Sequence, residues 1–324
     1  LRILITGGGG FLGKKLIAAL LSRGRLVNRH GTLTDIQQIV LFDNCPDNPF
    51  DDKRVRVVSG SVCSRDDVDR TISDAVDSVF HFAAVVSGEA EADFDKGMEV
   101  NLQGSLNVLN ACRRLSHVPR VLFTSSVAAF GGDLPPAVTD ATPPTPQSSY
   151  GTQKVIGELL VNDFSRKGYI DGRVLRLPTI CVRPGTPNKA ASGFASAMVR
   201  EPLNGEHTVC PVSPDLLMWV MSPPTAIANL VYAHDLPPAA WGYQRTLNLQ
   251  GLTVSAGQIL EAVRRRCGDA VADRIFWKRD SAVEALVATW PGRFESERAR
   301  SLGFHADSDF DSIIGDYLNE IGRR

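Results

Sequence analysis

Tyr150 and Lys154 stand four residues apart. On a helix that spacing stacks the two side chains on one face, about one turn apart. Val155, Ile156, Leu159 and Leu160 recur at helical spacing after the tyrosine, which predicts a helix through the pair. Ser148 or Ser149 is positioned to cap it, and Pro143, Pro144 and Pro146 end any earlier element. A free tyrosine titrates near pKa ~10 and is a poor base at neutral pH. An ammonium ~4 Å away, at an effective dielectric near ~20, favours the phenolate by about 4 kcal/mol, or about 3 pKa units. That shift would bring the phenol towards the working pH, where general acid–base catalysis is most effective. Two fixed positions also describe a surface lysine beside a half-buried tyrosine, so the pair needs a cofactor site upstream to carry chemistry.

Such a site stands at the start of the chain. A short apolar run over residues 1–6 enters a glycine-rich turn, and a helical pattern follows over residues 14–23. Gly7, Gly10 and Gly13, with Phe11 and Leu12 between the last two, give the spacing G-x-x-G-x-x-G at a strand-to-helix turn. Glycines there let the backbone turn tightly and approach a pyrophosphate, which rests on the first amides of the helix. No Gly-Lys-Ser/Thr follows, which disfavours a nucleoside-triphosphate loop. The next strand pattern, residues 39–43, ends in Asp43. A carboxylate at that end bonds the ribose hydroxyls of NAD and repels the 2′-phosphate of NADP. No cation follows immediately at Asn44, Cys45 or Pro46, so NAD is the expected cofactor. Asp43 lies 30 residues beyond Gly13, against the usual ~20. The polar stretch 28–37 reads as an insertion between helix and strand.

The elements that must position these residues alternate. Strand patterns cover residues 54–59, 78–84, 120–126 and 173–177. Helical patterns cover 93–115, which contains Asn101, and the segment that begins at Tyr150. This alternation predicts a doubly wound parallel α/β sheet, with ligands bound beyond the carboxyl ends of the strands. Gly7, Asp43, Ala83, Ser126 and Pro178 all fall at those ends. Beyond Pro178 the pattern is irregular. Residues 192–200 and 223–233 read as helices and 246–249 as a strand rejoining the sheet. A capped helix starting at Ser255 and helices over 281–289, 295–302 and 309–322 complete a smaller mixed α/β domain. The expected division is a Rossmann domain of residues 1–178 plus about 223–250, and a substrate-binding domain of 179–222 plus 251–324.

Composition narrows the function classes. The chain has 324 residues, 43% hydrophobic and 22% charged, with a formal net charge of −1. That balance gives no basic patch for nucleic acid or an anionic membrane, and no apolar run is long enough to span a bilayer. The six cysteines are widely spaced and form no CxxC. They fit reduced thiols in a cytoplasmic protein and no metal pattern.

Taken together, these residues resemble the extended short-chain dehydrogenases/reductases, the superfamily of nucleotide-sugar epimerases and dehydratases. The resemblance covers nearly the whole chain. It rests on the Gly7–Gly13 turn, Asp43, His81 to Ala84, Asn101, Phe123 to Ser126, and Tyr150 with Lys154. It implies a Rossmann fold, NAD, and catalysis by Ser126, Tyr150 and Lys154. It further implies that Lys154 holds the nicotinamide ribose, that Ala83, Ala84 and Pro178 line the cofactor, and that Asn101 is the family's helix asparagine. Dimers of this family form through the helix bearing the tyrosine, so a homodimer is the expected assembly.

Departures from the family pattern point to a small substrate. Nucleotide-sugar members carry an Asn where this chain has Thr179, and an Arg-Asp-aromatic segment where it has Leu217, Met218 and Trp219. A buried diphosphate without those partners would be costly. Trp219 and Phe194 are bulky enough to close a small pocket, and equally suited to a core. Ser61 stands where the family has an adenine-contacting Asp and receives no role. Residues 85–95, 144–154 and 176–185 look like a branch of the superfamily that oxidises a four-carbon sugar acid. They imply oxidation of D-erythronate to 2-dehydro-D-erythronate with NAD. Arg183 is the candidate for the substrate carboxylate, because a guanidinium pairs with it through two parallel bonds, and Ser87 for a substrate hydroxyl. The competing expectations are a nucleotide-sugar epimerase or dehydratase that keeps NAD bound, and a non-catalytic dinucleotide sensor.

Overall fold

Apolar residues alternate faces along the first strand, and that alternation builds both layers of the core. Ile3 and Ile5 pack with Leu16, Ile17 and Leu20 on one side. Leu4 points to the other side, among Val40, Phe42, Val79 and Val121. Strands buried on both faces are the signature of a parallel sheet covered by helices. In the computed structural model, which describes residues 1–185 and 189–323, that sheet has seven strands. They are β1 (Arg2–Thr6), β2 (Gln38–Asp43), β3 (Val55–Ser59), β4 (Ser78–His81), β5 (Arg120–Ser126), β6 (Asp171–Leu177) and β7 (Thr246–Asn248). The spatial order is β3-β2-β1-β4-β5-β6-β7, and every pairing is parallel. The chain reverses its direction of travel between β1 and β4, the switch point at which such sheets open a crevice for ligands.

Helices α1 (Phe11–Arg23) and α3 (Pro223–Asp235) cover one face of the sheet. Helix α2 (Ser149–Arg166), with the helices Arg65–Thr71 and Gly104–Arg113, covers the other. The polar stretch 28–37 is not a loose insertion. Gly24, at φ +69°, ends α1, and strands Arg25–Val27 and Leu33–Asp35 form an antiparallel hairpin before β2. The long helix expected over 93–115 is broken. A turn at Phe94–Gly97 leads into a widened π-helical segment, Met98–Gln103, and only then into Gly104–Arg113. Close packing accompanies the break at both ends: a Cβ on Gly97 would lie 2.5 Å from Gln153 Nε2, and one on Gly104 2.7 Å from Val62.

A second core gathers Val182, Met198, Met218, Val254, Ile259, Ile313 and others from the carboxyl-terminal half. Strand Leu217–Met221 runs antiparallel to Leu252–Ser255 and parallel to Thr179–Ile180 to frame it. The carboxyl-terminal segment does not keep wholly to this core. Ala299 and Phe304 return to the larger one, beside Trp241 and Leu249, so residues around 297–304 depart from the expected boundary. Among the described residues, no helix is long and apolar enough to cross a membrane, and no cluster of side chains could hold a metal ion.

Candidate active site

The glycine turn is shaped by backbone crowding. Gly7 has φ +69°, and a Cβ there would lie 2.7 Å from the amide nitrogen of Ala83 at the end of β4. A Cβ on Gly13 would lie 2.6 Å from the carbonyl oxygen of Gly7. Only glycine lets the turn press against both neighbours. Gly10 precedes the first turn of α1, and no side chain caps that helix. Its first amides, carried by Phe11, Leu12 and Gly13, therefore point into the crevice as an anion cradle.

Two lobes meet at this cradle and share Gly7, Gly10, Phe82 and Ala84 in their walls. The first, of about 350 Å³, is lined by Asp43, Ser61, Ala83 and Val85. Asp43 accepts a hydrogen bond from the amide of Gly9 at 3.0 Å, which ties the acid at the end of β2 to the glycine turn. The donor set fits a dinucleotide: glycine backbone beside helix amides in the middle, and a carboxylate at one end. Asn101 is not part of the wall, contrary to the expectation that it touches cofactor. It is 3% exposed, and its amide group holds the protein together. Oδ1 accepts from the amide of Val85 at 2.9 Å, and Nδ2 donates to the carbonyl of Val85 at 3.1 Å and to Gln153 Oε1 at 2.7 Å. Asn101 thus clamps the loop after β4 to α2, from the π-helical segment.

The second lobe, of about 300 Å³, brings together Ser87, Ser126, Tyr150, Lys154, Pro178 and Arg183. Ser148 caps α2, accepting from Gly151 N at 3.1 Å, so the tyrosine and lysine occupy its first two turns. A Cβ on Gly151 would lie 2.0 Å from the carbonyl oxygen of Ala128. That close approach sets the start of α2 against the turn that follows Ser126. Lys154 is 4% exposed. Its Nζ lies 5.5 Å from the Tyr150 ring centre and 5.0 Å from that of Phe123.

The electrostatics differ from the sequence argument. Burial pushes the Tyr150 phenol up to about 12. The groups that oppose this are the Arg183 guanidinium and a hydrogen bond with Ser126, rather than Lys154. Burial also lowers Lys154 to about 8, with Glu158, one turn further along α2, favouring its charge. The expected shift assumed an ammonium ~4 Å from the phenol and little desolvation; here desolvation is the largest effect on both groups. Arg183, largely buried, has its own pKa lowered by burial, with the Tyr150 hydroxyl opposing. Its Nε donates to the carbonyl of Ile180 at 3.3 Å, and among the described residues its terminal nitrogens have no acceptor.

Ser87 begins a short helix, and its Oγ accepts from the amide of Ala191 at 3.2 Å, so it braces the segment that covers the lobe as well as lining it. Trp219 and Phe194 are core residues and not walls. Trp219 is 2% exposed and stacks on Phe294 at 3.6 Å between ring centres, and Phe194 lies in the second core. Trp290 is in the wall, and sequence reasoning missed it. It follows the helix Ser281–Val287, more than a hundred residues beyond Pro178, and has no periodicity to mark it. Thr179 and Ser192 also line the lobe.

An uncapped glycine turn, a carboxylate at the end of β2, and a serine, tyrosine and lysine around one lobe define a dinucleotide-dependent enzyme of the short-chain dehydrogenase/reductase class. The chain belongs to the NAD dependent epimerase/dehydratase family, whose model matches residues 3–242, and NAD is its cofactor. It is 52% identical over 322 residues to D-erythronate dehydrogenase of Cupriavidus necator, covering 99% of each chain. It is 43% identical over 319 residues to D-erythronate dehydrogenase of Haemophilus influenzae, covering 98% of this chain and 99% of that one. The crystal structure of a nucleoside-diphosphate-sugar epimerase from Agrobacterium tumefaciens superposes with a TM-score of 0.93 at 37% identity, covering 100% of this chain and 95% of the other.

Proposed function

We propose that this protein oxidises D-erythronate to 2-dehydro-D-erythronate with NAD. The observation that carries the reading is the position of Arg183, a partly buried guanidinium whose terminal nitrogens have no acceptor among the described residues, in the same small lobe as Tyr150, Ser126 and Lys154. A sugar acid has one carboxylate for that fork and a neighbouring hydroxyl for the tyrosine. The two full-length relatives that act on D-erythronate support the same substrate.

NAD, when bound, would supply the hydride acceptor and a positive charge to the site. The amides at the start of α1 would hold its pyrophosphate, Asp43 its adenosine ribose, and Lys154 its nicotinamide ribose, while Ala83, Ala84 and Pro178 would line it. Arg183 fixes the substrate carboxylate, and Ser87 holds a distal hydroxyl. Tyr150 takes the proton of the 2-hydroxyl. Ser126, in the same lobe as Tyr150, steadies the same oxygen as charge leaves it. The carbon-bound hydrogen departs as hydride, and the products are the 2-keto acid, NADH and a proton. Burial makes the phenolate expensive, and the Arg183 guanidinium is the positive group that offsets it. The reaction belongs to the cytoplasm, where reduced thiols persist; all six cysteines are unpaired.

The name of the Agrobacterium structure favours a second reading, epimerisation of a nucleotide sugar. Arg183 and Lys154 are the only cations in the second lobe among the described residues, too few for a diphosphate as well as the nicotinamide ribose. The test is NADH formation with purified protein across four- to six-carbon sugar acids and UDP-sugars. D-erythronate should give the highest kcat/KM. Epimerisation of a UDP-sugar without net NADH would overturn the proposal.

A further inference from the structure

The pole of the sheet opposite the dinucleotide crevice holds another cavity, of about 510 Å³, with unbalanced charge in its walls. Arg120 and Asp171 are the first residues of β5 and β6, and Arg245 directly precedes β7. Three guanidiniums converge there on one carboxylate. Asp171 accepts from Arg120 Nε at 3.2 Å and Arg173 Nη2 at 2.7 Å through Oδ2, and from Arg245 Nη1 at 3.0 Å through Oδ1. Arg120 and Arg173 are 4% and 0% exposed. Arg173 gives Nη1 to the carbonyls of Ala233 and His234 near the end of α3. Arg120 gives Nη1 to the carbonyl of Val27 at 2.7 Å, and its Nη2 has no acceptor among the described residues. Arg29, His30 and His117 complete the basic part of the wall. The crowding is felt by the groups themselves. Burial lowers Arg173 to about 10 and His234 to about 4, and the neighbouring arginines add to the effect in both.

We propose that this cavity binds a phosphoryl dianion, either free phosphate or the phosphate of a small metabolite. Asp171 neutralises one of the three guanidiniums that line the cavity, those of Arg29, Arg120 and Arg245, and the two charges left over match a dianion. The buried arginines cannot turn to water for compensation, and arginine forks suit the paired oxygens of a phosphate. The cavity has room for more than the ion alone. None of this depends on the chemistry at Tyr150, so its failure would leave the dehydrogenase reading untouched.

The test is thermal unfolding against inorganic phosphate, with chloride holding ionic strength constant. A ligand bound by the folded state alone raises stability in proportion to ln(1 + [L]/Kd), whereas phosphate excluded from the surface acts without saturating. The comparison is wild type with Arg29→Gln, Arg245→Gln and the double variant. Arg29 is exposed, so its variant reads the site even where Arg245→Gln disturbs folding. Wild type should show a saturable rise, each single variant a weaker one, and the double variant an apparent Kd raised at least tenfold. Identical, unsaturable rises in all four proteins would overturn the proposal. Glycerol phosphate binding tighter than inorganic phosphate would assign the site to a metabolite, and equal binding to the free ion.

Discussion

Arg183→Ala separates two effects of one guanidinium. The substitution should leave the loop in place, because its backbone is held without the side chain. The amide of Arg183 donates to Ser196 Oγ at 3.1 Å, and its carbonyl accepts from Arg200 Nη1 at 2.7 Å. On the proposed reading, the variant loses a charge-assisted pair with the substrate carboxylate, worth about 1.5–3 kcal/mol. The kcat/KM for D-erythronate should therefore fall roughly ten- to a hundredfold, mostly through KM, with NAD affinity unchanged. The amide of the same acid supplies the control. Wild type should prefer the acid strongly, and the variant should treat acid and amide almost alike. A second consequence follows from the position of Tyr150. The Arg183 field lowers the phenol pKa, and the tyrosine must lose its proton to act as base. Deleting the guanidinium raises that pKa, so the acid limb of the kcat/KM profile should move to higher pH. The assay is NADH absorbance across pH. An unchanged KM, an unchanged acid-to-amide ratio and an unmoved limb would together refute both roles.

Tyr150→Phe removes the proposed proton acceptor and keeps the ring beside Lys154. Turnover should fall by roughly two to four orders of magnitude, with NAD binding by fluorescence titration almost unaffected; more than about a tenth of wild-type activity would mean another base operates. Asp43→Ala removes both the ribose partner and the 3.0 Å bond to Gly9. NAD should bind more weakly and the preference over NADP should narrow, read as the ratio of the two kcat/KM values; an unchanged ratio would remove Asp43 from cofactor choice.

The sheet, its order of elements and the glycine turn were legible in the sequence because local backbone demands write them. Gly7 must take positive φ, Gly13 must leave room for a carbonyl, and strands buried on both faces must be apolar throughout. Tyr150 and Lys154 were legible because a helix converts their spacing into proximity. The rest depends on partners distant in sequence. Asn101 clamps Val85 because the segment around it widens into a π-turn, and within 93–115 only the glycines at its two ends, Gly97 and Gly104, hint at that break. Trp290 reaches the lobe from the far end of the chain, while Trp219, the aromatic at a family-marked position, is covered by Phe294. The phenol pKa was misjudged for the same reason: spacing gives the distance to one lysine but carries no information on desolvation or on Arg183.

Substrate size in this chain is set by its second core as much as by its cavity. Where nucleotide-sugar enzymes carry an Arg-Asp-aromatic segment, this chain runs Leu217, Met218 and Trp219 through a strand paired with Leu252–Ser255. Met218 is 4% exposed among Val220, Val254 and Ile259. A Cβ on Gly292 would lie 2.5 Å from the Leu217 side chain, so that flank is closed by backbone. Restoring the segment would place its aspartate at Met218, and a carboxylate buried there among apolar side chains without a partner costs several kcal/mol. Restoring the whole segment would therefore disturb the packing that frames the second core. The charge the cavity retains is the one suited to a small acid: Arg183, anchored through its own backbone and facing the tyrosine that would take the proton.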